Sequence, residues 1–497
     1  MLKKLVFPVK QAEWKLFGLM FFIVCLINVN FSILRSARNA LVVADVGGSA
    51  TFIPYFELFG TFPASIALTW GLSRLMRLFS PRFIFSMTVT FFLAFFIIFA
   101  YWVYPYREEI HHLLEAKLGL FFGLSGFKVV FTHWPDMIFY IMSELWKVAI
   151  LSVIFWGFIN QNLSLDTAKR FYPPLLLGSS VGAIMAGPIT VFCSSQFSWN
   201  FFPLSSQRWQ HSLYLLTFFL LISGVLTLVA FNLLFKKLRI NKKTPPPQKD
   251  PTSKKEPFSQ KLLSLSSSLS YLRKSPYLSA LLLIVVAEYV SYALGELIFL
   301  QVLKERYPAP SDYCQYMGNL TFWTGILTAF SALILTPYIL QKCRWSRAAI
   351  ITPVLMVLAT FGFFGVIYLR KINLLPSVAP LNFAVLLGSL HFCIGRSAKY
   401  TLFDATKELA FIPLSQEGQM KGKLIVDGIG SRLGRGASSL ISIFLFLIMG
   451  GAGESALFAG ILAISFALVA IPAARLIGHD FEKMTPAPED STQPTIG

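Results

Sequence analysis

Two arginines, Arg35 and Arg38, interrupt an apolar run that begins near Trp14 and resumes as Ala40-Leu41-Val42-Val43. No charge occurs between Lys15 and Arg35, a stretch long enough to span most of a bilayer. A guanidinium at membrane depth costs about 3 kcal/mol on insertion scales, so it normally faces a partner or a water-filled path. Three residues apart, the two arginines share one helix face. A helix built this way presents two fixed positive charges to an anion. The same residues also fit a span that ends near Leu34, with both arginines snorkelling to the interface.

Further charges lie within or beside other apolar runs. Glu144 and Lys147, in Ser143-Glu144-Leu145-Trp146-Lys147, have the i,i+3 spacing of a local ion pair, which would lower the cost of burial whether or not the pair has a function. Glu57, Glu288 and Glu296 are carboxylates at depth. Eight residues turn a helix by about 80° beyond two full turns, so only one of Glu288 and Glu296 is expected to face a cavity. Each carboxylate can pair with a cation, repel a substrate or carry a proton, and the sequence does not choose. The densest cluster comprises Arg396, Lys399, Asp404, Lys407 and Glu408, followed by Lys421, Lys423, Asp427, Arg432 and Arg435. Lysine offers a compact point charge and arginine a bidentate fork, a combination suited to polyphosphate. Gly428, Gly430, Gly434, Gly436, Ser438 and Ser439 let helices pack closely or backbone amides approach an anion. Lys421 and Lys423 fit a positive cytoplasmic loop equally well.

The elements that must hold these residues are membrane helices. Of 497 residues, 55% are hydrophobic and only 13% charged, and mean hydropathy is +0.64. A soluble chain carries roughly 25% charged residues, so this is a polytopic membrane protein. The spacing of apolar runs predicts an all-α fold of about twelve spans. The first is expected at 14–43, the second at 51–75 and the fifth at 173–195. Residues 1–235 form an N-terminal six-helix half and 277–480 a C-terminal one. The Pro-, Lys- and Ser-rich stretch 236–276 reads as a basic cytoplasmic linker, in which 258–272 forms either an amphipathic surface helix or plain solvated chain. Residues 481–497 read as a disordered tail. Two such halves with a basic central loop describe a major-facilitator-like architecture, whose site lies between halves near the midplane.

Lysine and arginine placement puts both termini and the linker in the cytoplasm. With no early short apolar core and cleavage site, insertion into a bacterial-type inner membrane is expected. The net charge of +19 is therefore read as setting orientation rather than as a nucleic-acid footprint. The five cysteines lack metal-ligand spacing, so neither a metal nor a cofactor is expected. An enzyme using nucleotide finds little support. Gly418-Gln419-Met420-Lys421-Gly422-Lys423 lacks both the Walker spacing and a preceding strand.

Longer motifs are more specific. Phe31-Ser32-Ile33-Leu34-Arg35-Ser36-Ala37-Arg38-Asn39-Ala40-Leu41-Val42-Val43 resembles the first-helix motif of the nucleotide transporter (ATP/ADP translocase) family of obligate intracellular bacteria and plastids. Glu144-Leu145-Trp146, with 155–161 as Phe-Trp-Gly-Phe-Ile-Asn-Gln, is similar to its fourth-helix motif, and 168–173 to the loop that follows. In the second half the resemblance runs through 397–408, Ile412-Pro413-Leu414, Lys421-Gly422-Lys423 and 430–434. It covers nearly the whole chain in order, and points to a chlamydia-like or rickettsia-like bacterial member.

The resemblance implies a monomeric nucleotide carrier in a lipid bilayer, working by alternating access as an exchanger. Arg35, Arg38, Lys147, Lys399 and Arg432 are then expected to contact phosphates, with Phe31 and Asn160 near base or ribose. Glu144, Glu296 and Asp404 would orient those cations, form state-dependent ion pairs or carry a coupling proton. Departures from the family pattern keep other modes open. Ser36, Arg38 and Asn39 stand where many ATP/ADP exchangers have Asp, Lys and Asp. Leu300 and Val302 replace two common lysines, Arg435 replaces a lysine, and Lys147 adds a cation. A proton-coupled net importer and an NAD/ADP exchanger are the alternatives.

Overall fold

In the computed structural model the chain is described over residues 9–45, 48–107, 109, 132–241, 272, 275–372, 374 and 379–484. Most of the expected linker and all of the tail beyond 484 lie outside these residues. The described chain is nearly all helical and contains no strand. Among the described residues eleven helices are long and apolar enough to cross a membrane. They are α1 (Trp14–Ala44), α3 (Pro81–Tyr106), α4 (Trp134–Asn162), α5 (Asp166–Ser194), α6 (Arg208–Leu238), α7 (Pro276–Arg306), α8 (Pro310–Lys342), α9 (Trp345–Lys371), α10 (Leu381–Ala410), α11 (Ile425–Met449) and α12 (Ala456–Met484).

The expectation of about twelve spans is met to within one. The second is present as a helix, α2 (53–78), but Glu57, Thr61, Ser65, Thr69, Ser73, Arg74 and Arg77 dilute its apolar content. The fifth begins earlier than the expected residue 173. Ser164 caps its first turn, its side chain accepting a hydrogen bond from the Thr167 amide at 3.4 Å, and Pro173 and Pro174 lie inside the helix. The hydroxyl cap rather than the proline pair sets where this helix begins.

Close helix contacts follow from small residues, as expected where lipid supplies no hydrophobic drive between helices. On α12 the buried residues Ala456, Ala459, Ala463, Ala467, Ala470 and Ala474 form a stripe against α7 and α9. Between α5 and α8, Gly318 approaches so closely that an added Cβ would stand 3.0 Å from the Gly187 carbonyl oxygen. Polar groups inside the bundle find backbone partners, as a low-dielectric interior requires. Trp146 Nε1 donates to the Ile27 carbonyl at 3.0 Å, and Asn28 Nδ2 to that of Val24 at 2.8 Å.

Among the described residues, polar ties between the chain before residue 241 and the chain after 275 lie at mid-bundle, as between Arg35 and Glu296 and between Ser439 and Glu57, and at one end of the bundle. Arg208 pairs with Asp312 at 2.9 Å, the Ala452 amide donates to Thr51 Oγ1 at 3.2 Å, and the Ala50 amide to Gln301 Oε1 at 3.4 Å. Lys304 Nζ donates to the Gly48 carbonyl at the same end. Toward the opposite end, where residues 241 and 275 lie, the described ion pairs stay within one part of the chain. Arg170 pairs with Glu13 at 2.7 Å, Lys407 with Asp427 at 2.8 Å and Lys423 with Glu408 at 2.6 Å. Among the described residues, then, the two parts are tied at one of the bundle's two ends and not at the other.

Candidate functional site

The first helix continues through both arginines and on to Ala44, so it does not end near Leu34. Arg38 is only 6% exposed. Each guanidinium takes a carboxylate and an aromatic ring. Arg35 pairs with Glu296 of α7 and lies 5.1 Å from the Phe392 ring centre. Arg38 pairs with Glu144 of α4 and lies 4.4 Å from the Tyr140 ring. Burying an ion pair is tolerable only when both charges are matched, and each ring face adds attraction of about 0.5–2 kcal/mol.

Glu144 therefore does not form the local pair with Lys147 that the sequence spacing allows. A wide π-helical stretch, Lys147–Phe155, begins at the lysine and departs from regular α-winding. Lys147 Nζ instead stands 4.9 Å from the Phe31 ring and 5.9 Å from the Tyr400 ring.

These residues wall two adjoining cavities. The smaller, about 230 Å³, contains Arg35, Arg38, Arg396, Lys399 and Arg435 against Glu57, Glu144 and Glu296. Its cations outnumber its carboxylates, and two of the three carboxylates are already taken up by Arg35 and Arg38. Glu57, on α2, accepts hydrogen bonds from Tyr140 Oη and Ser439 Oγ, both at 3.1 Å. The larger cavity, about 750 Å³, is mostly apolar and carries Ser179, Ser180, Thr321, Thr324, Thr328, Lys147 and Asp404. The two share Phe31, Arg35, Arg396 and Tyr400.

Among the described residues no carboxylate pairs with Arg396, Lys399, Arg435 or Lys147. Lys399 Nζ lies 3.4 Å from the Tyr289 ring centre, and Arg396 lies 5.3 Å from the Phe392 ring, on which Arg35 also rests. Cations held on ring faces rather than neutralised by acids keep their charge available to an incoming anion. The hydroxyls of Ser438, Ser439 and Ser442 add hydrogen-bonding groups to the same wall.

The residues singled out from sequence divide accordingly. Arg35, Arg38, Glu144, Glu296 and Lys399 meet in the smaller cavity, and Lys147 and Asp404 in the larger. Asn160 is exposed outside both, its Oδ1 accepting a hydrogen bond from the Tyr172 hydroxyl. Arg432 is also exposed outside both, while Arg435, three residues on, lines the smaller cavity. The side chain of Lys421 lies outside the described residues, and Lys423 is engaged by Glu408. Arg396 and Arg435 stood in the charge cluster without being assigned to the site. Their position at helix-face spacing from Lys399 and Ser439 was the available signal.

Comparison with known proteins follows this geometry. A family model described as TLC ATP/ADP transporter matches residues 1–481. The chain is 29% identical over 495 residues to ADP,ATP carrier protein 1 of Chlamydia trachomatis, covering 98% of this chain and 93% of that one. It is 32% identical over 475 residues to the chloroplastic ADP,ATP carrier protein 2 of Arabidopsis thaliana, covering 94% and 74% respectively. The fold resembles the crystal structure of the nucleoside transporter NupG, with a TM-score of 0.57 at 12% identity, over 95% of this chain and 100% of that one.

Proposed function

The chain belongs to the TLC ATP/ADP transporter family, and from that premise we propose that it carries ATP and ADP across a bacterial inner membrane as an exchanger. It acts as a transporter and not as an enzyme on the nucleotide. The observation that carries this reading is the pair of joined cavities. One is rich in cations without carboxylate partners and suits phosphates. The other is larger, apolar and hydroxyl-bearing, and suits base and ribose. Arg35, Arg38, Arg396, Lys399 and Arg435 hold the phosphates, while Phe31 and Tyr400 stand where the two portions of a nucleotide would meet.

Alternating access follows from the one-sided closure. Residues 1–235 and 277–480 act as two six-helix halves that rock about the site. With the linker and both termini in the cytoplasm, the ties among Arg208, Asp312, Thr51 and Ala452 close the outer end, and the bundle is in its inward-facing state. An empty carrier holding several uncompensated cations reorients poorly, because moving such charges through a low-dielectric interior is costly. That favours exchange over leak.

A second reading, net import with a proton, is favoured by one feature. The family resemblance leads one to expect a lysine where Leu300 lines the smaller cavity. A wall with one fewer cation needs less neutralisation when empty.

Uptake into proteoliposomes tests both. Labelled ATP is offered with competing ADP, GTP, CTP, UTP, NAD or dNTPs, with and without nucleotide inside. Accumulation that depends on internal nucleotide supports exchange, and accumulation that needs only a pH gradient supports the importer. Turnover of nucleotide without transport would overturn both.

A further inference from the structure

Outside the two cavities, the C-terminal helices enclose a carboxyl group to which no role has been given. Glu288 of α7 is fully buried, and neither carboxyl oxygen has a hydrogen-bond partner among the described residues. An isolated ionised carboxylate in such surroundings is too costly to persist without a compensating charge. It must either borrow a cation or hold a proton.

Among the described residues one cation, Lys399, acts on Glu288. Tyr292, one turn beyond Glu288, packs against Met356 of α9 and Ala467 of α12, and its ring stacks with that of His391 on α10 at 6.2 Å. Gly395 of α10 packs on Tyr292 as well. This register sets Glu288 beside the next turn of α10, which carries Lys399, and the preceding turn of α9, which carries Thr352, buried and without a hydrogen-bond partner. From α11 and α12, Val426 and Ala470 close the packing. The charged groups acting on Glu288 are Lys399 and, with the opposite sign, Asp404, both from α10. Lys399 also lines the smaller cavity.

We propose that Glu288 is a proton-binding site linked, through Lys399, to occupancy of the cavity by nucleotide phosphate. The inference rests on the transporter reading above and deepens it. With the cavity empty, the ammonium of Lys399, without touching the carboxyl group, is the charge that favours an ionised Glu288. When a phosphate engages Lys399, that effect is withdrawn, and the carboxylate takes up one proton released by the buffer in the surrounding solution. Linkage is reciprocal: whatever factor the nucleotide contributes to protonation, protonation returns to nucleotide affinity. One proton then accompanies each nucleotide into the occupied state.

Isothermal titration of purified full-length protein with ADP, in buffers of different ionisation enthalpy at one mildly alkaline pH, reads the protons taken up per nucleotide bound. Wild-type protein is expected to take up about one proton more than Glu288→Gln, with ADP binding in both. Equal proton counts in the two proteins overturn the proposal. If Glu288→Gln does not fold, Glu288→Asp keeps a carboxyl group and the titration is repeated across neutral to alkaline pH. A proton count that never exceeds the release expected from ADP itself then overturns the proposal. Failure of wild-type protein to bind ADP would count against the transporter reading instead, and is seen in the same titration.

Discussion

Arg35 on α1 and Glu296 on α7 form an ion pair between residues 261 positions apart in sequence. The pair lies on the wall of the cationic cavity and joins the chain before residue 241 to the chain after 275. Arg38, one turn further along, pairs instead with Glu144 of α4, inside the first part. Neighbouring arginines of one helix face thus have different duties. One ties the two parts of the chain together, and the other pairs within the first part.

Arg38→Ala is expected to abolish nucleotide uptake while the protein still inserts into the membrane. Removing one partner of a buried pair leaves Glu144 uncompensated, at a cost of about 3–5 kcal/mol. The double variant Arg38→Ala/Glu144→Gln should recover most of the thermal stability and none of the transport. Near-normal uptake by Arg38→Ala would remove the arginine from the site.

Arg396 lines both cavities and shares the Phe392 ring with Arg35. Arg396→Ala should raise the half-saturating nucleotide concentration about 10- to 100-fold, since a charge-assisted hydrogen bond contributes about 1.5–3 kcal/mol. Arg396→Lys should recover part of that loss. Concentration-dependent uptake in proteoliposomes decides, and an unchanged half-saturation would place Arg396 outside the binding path.

Thr51 and Ala452 touch at the closed end. The paired variant Thr51→Cys/Ala452→Cys is expected to cross-link under mild oxidation and stop uptake, and reductant should restore it. A cross-linked carrier that still transports would show that this end need not open.

Asn160 and Arg432 are exposed outside both cavities. Asn160→Ala should lose only its bond from Tyr172, about 1 kcal/mol of stability, and Arg432→Ala should do less. Uptake by each is expected within about twofold of the unaltered protein, given that surface changes rarely matter more. Loss of transport in Arg432→Ala would mean that its side chain enters the site in another state of the cycle.

The spans, the charge cluster and the family motifs are legible in the sequence because hydropathy, charge and residue order are local properties. Partner choice is not. Glu144 and Lys147 have the spacing of a helical pair, yet Lys147 turns to the Phe31 and Tyr400 rings, and the true partner of Glu144 lies 106 positions away. The same limit explains Arg432 and Arg435. Both sit in one apolar-flanked basic run, and only the rotation of α11 against α2 and α7 decides which reaches the cavity. The eight-residue spacing of Glu288 and Glu296 did predict that their fates would differ, since it depends only on helical pitch.

Wide turns recur along these helices, at Phe56–Thr61, Lys147–Phe155, Lys399–Phe403 and Leu424–Gly430 among others, and the first three contain Glu57, Lys147 and Lys399. Each holds surplus backbone relative to regular winding. Deleting one residue within Lys399–Phe403 would let the helix tighten to regular winding and leave the residues beyond it on nearly the same face, whereas a deletion in a regular turn would swing them by about 100°. Asp404 and Lys407 would then keep their neighbours, while the side chains of the stretch itself, Lys399 among them, would shift. Relatives are therefore expected to lose or gain single residues in these wide turns more readily than in the regular turns on either side.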